Sequence, residues 1–294
     1  MHEISQIPEA MVPMMNIFVF ILGTCIGSFL NVCIWRLPRG ESLVSPPSHC
    51  PKCNYLIQWY DNIPLLSWLA LGGKCRKCKT GISPRYFLVE LMTGYLFFLV
   101  WMKVMMTGQP ASAAVPYFCI VALCIVTIFV DTEHRIIPNE ATYSAMVAGL
   151  LFSVFWPELW LPHRKWIVPE WIISFMFSFG SMAVCILFMA AVSIFGKILF
   201  KKEAMGWGDV KYIGAVAALI GVPACFFTLL FGSLTGSLYG IFLMVFRKKK
   251  LRSAFPLGPF LAAGTLLWVF FGEIIGESYL ELSRQITLKL GGGW

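Results

Sequence analysis

Histidine is scarce in this 294-residue chain: there are four, His2, His49, His134 and His163. No His-Glu-x-x-His occurs, so a catalytic zinc of the metalloprotease kind has no ligands. None of the four lies in a long apolar run, which leaves serines such as Ser233 and Ser237 without an intramembrane base to activate them. Beside Gly232, Gly236 and Gly240 those serines read instead as small residues for close helix packing. Charge is also scarce, at 13% against 58% hydrophobic residues and a mean hydropathy of +0.76, which excludes a soluble globular domain. A Gly-x-Gly-x-x-Gly loop is missing too; the nearest match, "GWGDVK" at 206–211, has Lys211 where the third glycine belongs. The residues before the first apolar run carry Glu3 and Glu9 and no Lys or Arg. That run therefore lacks the basic flank of a cleavable signal and is expected to remain as a membrane helix.

What the chain has in abundance is apolar segments long enough to cross about 30 Å of hydrocarbon, for which a helix needs roughly 20 residues. They fall at about 14–35, 86–106, 113–130, 140–156, 171–199, 210–221, 224–246 and 256–275, with 210–221 short. The expected fold is an all-α polytopic membrane protein of about eight transmembrane helices. Of the 23 Lys and Arg residues, all but Lys103, Arg164, Lys165, Arg284 and Lys289 fall in or beside 36–85, 131–139, 200–209 and 247–255. Cytoplasmic loops retain positive charge, so these segments are expected in the cytoplasm and the N-terminus on the outer, periplasmic side. The net charge of +8 is accounted for by topology and by attraction to anionic lipid, not by nucleic acid. No internal repeat stands out. The tail "EIIGESYLELSRQITLKL" mixes apolar and charged positions and suits an interfacial helix over 276–294.

One long polar insertion separates the first two spans, and it carries "CPKC" and "CRKC". Cys50, Cys53, Cys75 and Cys78 form two Cys-x-x-Cys knuckles with a separation close to that of tetrathiolate zinc ribbons. Four sulfurs close the coordination sphere, so such a zinc is structural and offsets the small core of a loop domain over 36–85. Redox pairs or disulfides are the alternative, disfavoured on a reducing cytoplasmic face. The other six cysteines, Cys25, Cys33, Cys119, Cys124, Cys185 and Cys225, lie in apolar spans as small hydrophobes.

Carboxylates are the remaining candidates for chemistry. Glu90, Asp131, Asp209 and Glu140 border the cytoplasmic ends of spans. Asp131 ends the run "FCIVALCIVTIFV" and is followed by "TEHRIIPNE", where Pro138 closes one helix and opens the next. Asp209 follows the "GWG" turn. The charge pattern puts both on one membrane face, where two carboxyls sharing a proton could act as general base and general acid on a peptide bond. The glycines leave room for an extended peptide. Solvated interface acids, with Asp209 as an N-cap, are the structural alternative.

In combination and order these motifs resemble the bacterial type IV prepilin peptidases, which are also N-methyltransferases. "DTEHRIIPN" and "GWGDVK" are similar to the family's two active-site segments. "GSFLNVCIWRLP", "HCPKC", "YDNIPLLSWL", "GGKCRKC" and "ISPRYFLVE" are similar to its N-terminal region. One departure is "PPSHC", with His49 where an arginine is expected. The resemblance implies a cytoplasmic-membrane aspartic endopeptidase that removes the basic leader of type IV prepilins or pseudopilins and methylates the new N-terminus with S-adenosylmethionine. It assigns Asp131 and Asp209 as the catalytic pair, the four loop cysteines as zinc ligands, and Gly73 and Lys74 to the methyl-transfer half. Asn31, Arg36, Asp61, Arg76, Arg85 and Glu90 are polar candidates for a methyl-donor site between the loop and the first span. Expected divisions are 1–35 for the first span, 36–85 for the zinc loop, 86–275 for the peptidase and 276–294 for the tail. The rival readings are a proton-coupled transporter and a methyltransferase or zinc-bearing scaffold with an inactive protease half.

Overall fold

The computed structural model describes residues 11–157, 168–201, 205–247 and 256–291. Among the described residues eight α-helices follow one another: α1 (Val12–Arg36), the short α2 (Leu66–Ala70), α3 (Pro84–Met106), α4 (Ala114–His134), α5 (Asn139–Phe155), α6 (Glu170–Phe200), α7 (Trp207–Arg247) and α8 (Gly258–Gly291). Among the described residues there is no strand beyond two isolated bridges in the cysteine loop. Six helices, α1, α3, α4, α6, α7 and α8, are long and apolar enough to cross a membrane.

The six become the eight apolar segments of the sequence reading once α5, which at 17 residues is at the short limit for a crossing, is added and α7 is divided at its break. The spans expected at 210–221 and 224–246 are both parts of α7, which breaks at Gly221 (φ 83°, ψ 177°), just before Pro223. The Cys225 Sγ lies 3.3 Å from the carbonyl oxygen of Ile213. A straight helix would hold these residues about 18 Å apart, so the two halves of α7 fold back as a helical hairpin. At the other terminus, α8 continues past 275 to Gly291 without a break.

Small residues set how closely the helices approach. A Cβ on Gly23 or Gly27 of α1 would lie 2.8 Å from the backbone of Gly94 or Glu90 of α3, so these positions admit no larger residue without separating the helices. Gly149 serves α5 against Ala218 of α7 in the same way, and Gly232 serves α7 against Leu261 of α8. At the centre, α4 and the first half of α7 are the most buried, through Ile120, Val121, Ile125 and Val130 and through Ile213, Ala215, Val216 and Ala217. One polar cluster ties this core. Tyr212 meets Thr265 at 2.8 Å and Cys124 at 3.4 Å, and Thr228 meets Thr265 at 3.2 Å, joining α4, both halves of α7 and α8.

Candidate active site

The apolar run of α4 ends where Arg135 turns left-handed (φ 57°) and returns its N–H to the carbonyl oxygen of Asp131 at 2.9 Å. Pro138 then opens α5, as its fixed φ and missing N–H favour. Asp131 is left in the last turn of α4 with only 6% of its surface exposed. Its Oδ2 accepts the backbone N–H of Gly258, at the start of α8, at 2.8 Å.

Asp209 comes to the same place from α7. Its N–H donates to the carbonyl oxygen of Gly206 at 3.1 Å, which sets it inside the first helical turn. It is therefore not the N-cap of the sequence alternative. Gly208 lies against Ile137, which a Cβ there would approach to 3.2 Å. The room expected from this glycine is thus taken up by the α4–α5 connection. Lys211 Nζ donates to Asn139 Oδ1 at 2.7 Å and holds the start of α7 on the start of α5. Asp131 and Asp209 are brought within electrostatic reach of each other. Of the other two border acids, Glu140 is exposed and Glu90 is buried in a structural contact described below.

The four loop cysteines converge, with every pair of sulfurs within 4.8 Å. Cys50 and Cys78 are 3.8 Å apart, and Cys53 and Cys75 are 4.0 Å apart. A tetrahedron with metal–sulfur bonds of about 2.3 Å needs sulfurs about 3.8 Å apart, so the cluster has the dimensions of a zinc site. The two knuckles share one backbone plan. Cys50 N–H bonds to Tyr55 O and Asn54 N–H to Cys50 O; Cys75 N–H bonds to Thr80 O and Lys79 N–H to Cys75 O. Asn54 and Lys79 are both left-handed, and each knuckle closes on a bridge, His49 with Leu56 and Lys74 with Gly81. This is a local structural repeat that the sequence shows only as two Cys-x-Lys-Cys segments. Backbone N–H groups of Cys53 and Lys52 aimed at Cys50 lower its thiol pKa to about 6, toward the thiolate a metal requires.

Most of the polar candidates for the methyl-donor site make contacts within the loop or between the loop and the bundle. Arg36 donates to the carbonyl oxygens of Ser42 and Pro46 at 2.7 and 2.6 Å. Arg76 grips Asp61 through two nitrogens, at 2.6 to 2.9 Å. Gly73 (φ 65°) lies against the Trp68 ring, which a Cβ would approach to 2.8 Å. The following Lys74 donates its backbone N–H to Leu71 O at 3.3 Å.

The first turns of α3 collect the rest. Arg85 pairs with Glu133 of α4. Asn31 Nδ2 donates to Tyr86 O at 3.0 Å. Phe87 lies against Trp68, with ring centroids 5.2 Å apart, and the Glu90 carboxylate accepts Leu65 N–H at 2.8 Å. Around this junction Asn31 Oδ1, Trp68 Nε1, Arg85 Nε and His134 Nε2 are buried without hydrogen-bond partners. Buried polar atoms are rarely left unsatisfied, so each of these needs a partner, water or solute, from outside the chain. The sequence reading missed Gly258 and Glu133. The former sits in "PLGPF", whose Gly-Pro signals only a helix start, and the latter is inside the "DTEHR" segment already singled out.

The profile of the Bacterial Peptidase A24 N-terminal domain matches residues 21–104, and that of the Type IV leader peptidase family matches residues 118–241. The chain is 36% identical to a prepilin leader peptidase/N-methyltransferase of Myxococcus xanthus over 241 residues, covering 82% of this chain and 67% of the relative. It is 33% identical to a protein of that name from Aeromonas salmonicida over 288 residues, covering 90% and 93%. It is also 32% identical to a type 4 prepilin-like proteins leader peptide-processing enzyme of Escherichia coli O78:H11, covering 90% and 96%. No solved structure matches.

Proposed function

The chain belongs to the type IV leader peptidase family, and from that premise we propose that it is a bifunctional membrane enzyme. It cleaves the basic leader from type IV prepilins or pseudopilins and then methylates the new N-terminal residue. The observation that carries the peptidase half is that Asp131 and Asp209, 78 positions apart in the chain, lie at one end of the bundle within electrostatic reach of each other. Two carboxyls in one site cannot both ionise cheaply, so they hold one proton between them. The ionised member takes a proton from water as the oxygen attacks the scissile carbonyl. The protonated member donates a hydrogen bond to the carbonyl oxygen, and collapse of the tetrahedral intermediate sends a proton to the departing amine. Gly258 N–H occupies Asp131 Oδ2 and orients the carboxyl, leaving Oδ1 for proton transfer.

The four cysteines would hold a structural zinc that fixes the loop against α3. For the second reaction S-adenosylmethionine supplies an electrophilic methyl group on a sulfonium. Asn31, Trp68 and Arg85, with their unpartnered polar atoms at the loop junction, would hold it, with Gly73 and Lys74 alongside. The Arg85–Glu133 pair puts that junction at the same end of the bundle as Asp131, so a cleaved N-terminus has a short way to travel. The charge pattern orients this end toward the cytoplasm, where a substrate's basic leader is retained. The N-terminus is then periplasmic.

Mass spectrometry of a co-expressed pilin tests the assignment. Asp131→Asn and Asp209→Asn should each leave the leader attached, while each purified variant still methylates a pre-cleaved pilin. Processing at the normal rate by either variant would end the aspartate-pair mechanism.

A further inference from the structure

A cavity of about 480 Å³ lies between α3, α4, α6, α7 and α8, at the end of the bundle remote from the aspartates. Its α4 wall is Pro116 and Tyr117; from Tyr117 to Asp131 the helix rises about 21 Å. The volume is in the range of small-molecule sites, yet neither proposed reaction uses it.

Three features define what it would accept. Its floor is the turn of the α7 hairpin, 219–223, where Gly221 leaves helical geometry. Irregular backbone within a membrane protein is tolerated where it is buried in protein or lines a polar cavity. Next, one wall carries a cation and an anion together. Lys103 Nζ donates to Val269 O at 2.6 Å and stands 3.5 Å from Glu273 Oε1. Lys103 is in the last turn of α3, so the pair stands at the interfacial end of the bundle, where a charged headgroup can reach it. Finally, Phe177 and Val222, both lining residues, are apolar and exposed, which gives the cavity an apolar opening of the kind acyl chains fill. Tyr117 and Trp268 add the amphipathic aromatic surface favoured at headgroup level.

We propose that this cavity is a binding site for one zwitterionic phospholipid of the phosphatidylethanolamine class. The phosphate meets Lys103, the ammonium meets Glu273, and the acyl chains leave past Phe177 and Val222. A lipid held there braces the hairpin turn against α3 and α8. An anionic headgroup without an amine would satisfy Lys103 and leave Glu273 facing like charge.

The test is native mass spectrometry of the full chain in detergent, titrated with dihexanoyl-phosphatidylethanolamine, dihexanoyl-phosphatidylglycerol and free phosphoethanolamine. One phosphatidylethanolamine per chain is expected, with occupancy roughly tenfold above either other probe. Lys103→Gln should lower that occupancy at least about tenfold, and Glu273→Gln should erase the preference over phosphatidylglycerol. Because Lys103→Gln also removes the bond to Val269, Ser181→Phe is the second variant: it fills the cavity from α6 and leaves the ion pair in place. It should abolish lipid binding with an unchanged thermal midpoint in lipid-free detergent. Equal binding of the two lipids, equal binding of free phosphoethanolamine, or undiminished binding by Ser181→Phe would each overturn the proposal.

Discussion

At Gly258 the lack of a side chain is required by the carboxylate beside it. A Cβ there would stand 2.7 Å from Asp131 Oδ2 and 3.0 Å from its Cγ, so the Asp131 side chain must move to admit even alanine. A displacement of about 1 Å at a reacting group can cost roughly 100-fold in rate. Gly258→Ala is therefore expected to lower kcat for leader cleavage about 100-fold, with KM unchanged and methylation of a pre-cleaved pilin unaffected. A wild-type kcat would show that the Asp131 position is not set by this contact. Asp131 and Asp209 were legible in the sequence because each borders an apolar run and the charge pattern puts both on one face. Gly258 was not, because its partner is 127 positions away and Gly-Pro marks many helix starts. Asn31, Arg36, Arg76 and Glu90 were legible as polar residues near the membrane surface. Their partners, mostly backbone carbonyls and amides of the loop, depend on a chain path that composition does not record.

Among the elements, the twin knuckles were half visible. The Cys-x-x-Cys spacing reads directly as a four-sulfur site. The matching left-handed residues Asn54 and Lys79 do not, because Asn commonly adopts that conformation and Lys does not. The loop between them has no strand and only one five-residue α-helix, α2, so the proposed zinc must supply much of its order. Elemental analysis should find one zinc per chain. Stripping it with a strong chelator should open 36–85 to proteolysis while helical circular dichroism of the bundle persists. A metal-free loop that resists protease as well as the loaded form would refute the structural role. The α7 hairpin shows the complementary limit. Gly221 and Pro223 announce a break, but only the contact between Cys225 and Ile213 shows that the chain reverses there.

For the whole molecule, the cysteine loop, the α4–α5 connection and the start of α7 share one end of the bundle, and Lys103 with the hairpin turn shares the other. Alkaline phosphatase fused after residue 60 should be inactive and fused after residue 109 active, because the enzyme matures only outside the cytoplasm; the reverse pattern would invert the proposed orientation. The all-helical membrane class was legible from hydropathy alone. The reversal of the chain between the segments 210–221 and 224–246 was not, since hydropathy registers apolar length and not direction. The contact of Gly258 with Asp131 also sets an order of events during biosynthesis. Ribosomes add roughly 5–20 residues each second, so Gly258 is made roughly 6–25 s after Asp131. Through that interval α1, α3 and the cysteine loop are already complete while Asp131 still lacks its donor. The emerging chain thus carries its four-sulfur cluster before a finished peptidase, and its cutting power arrives only with the last helix.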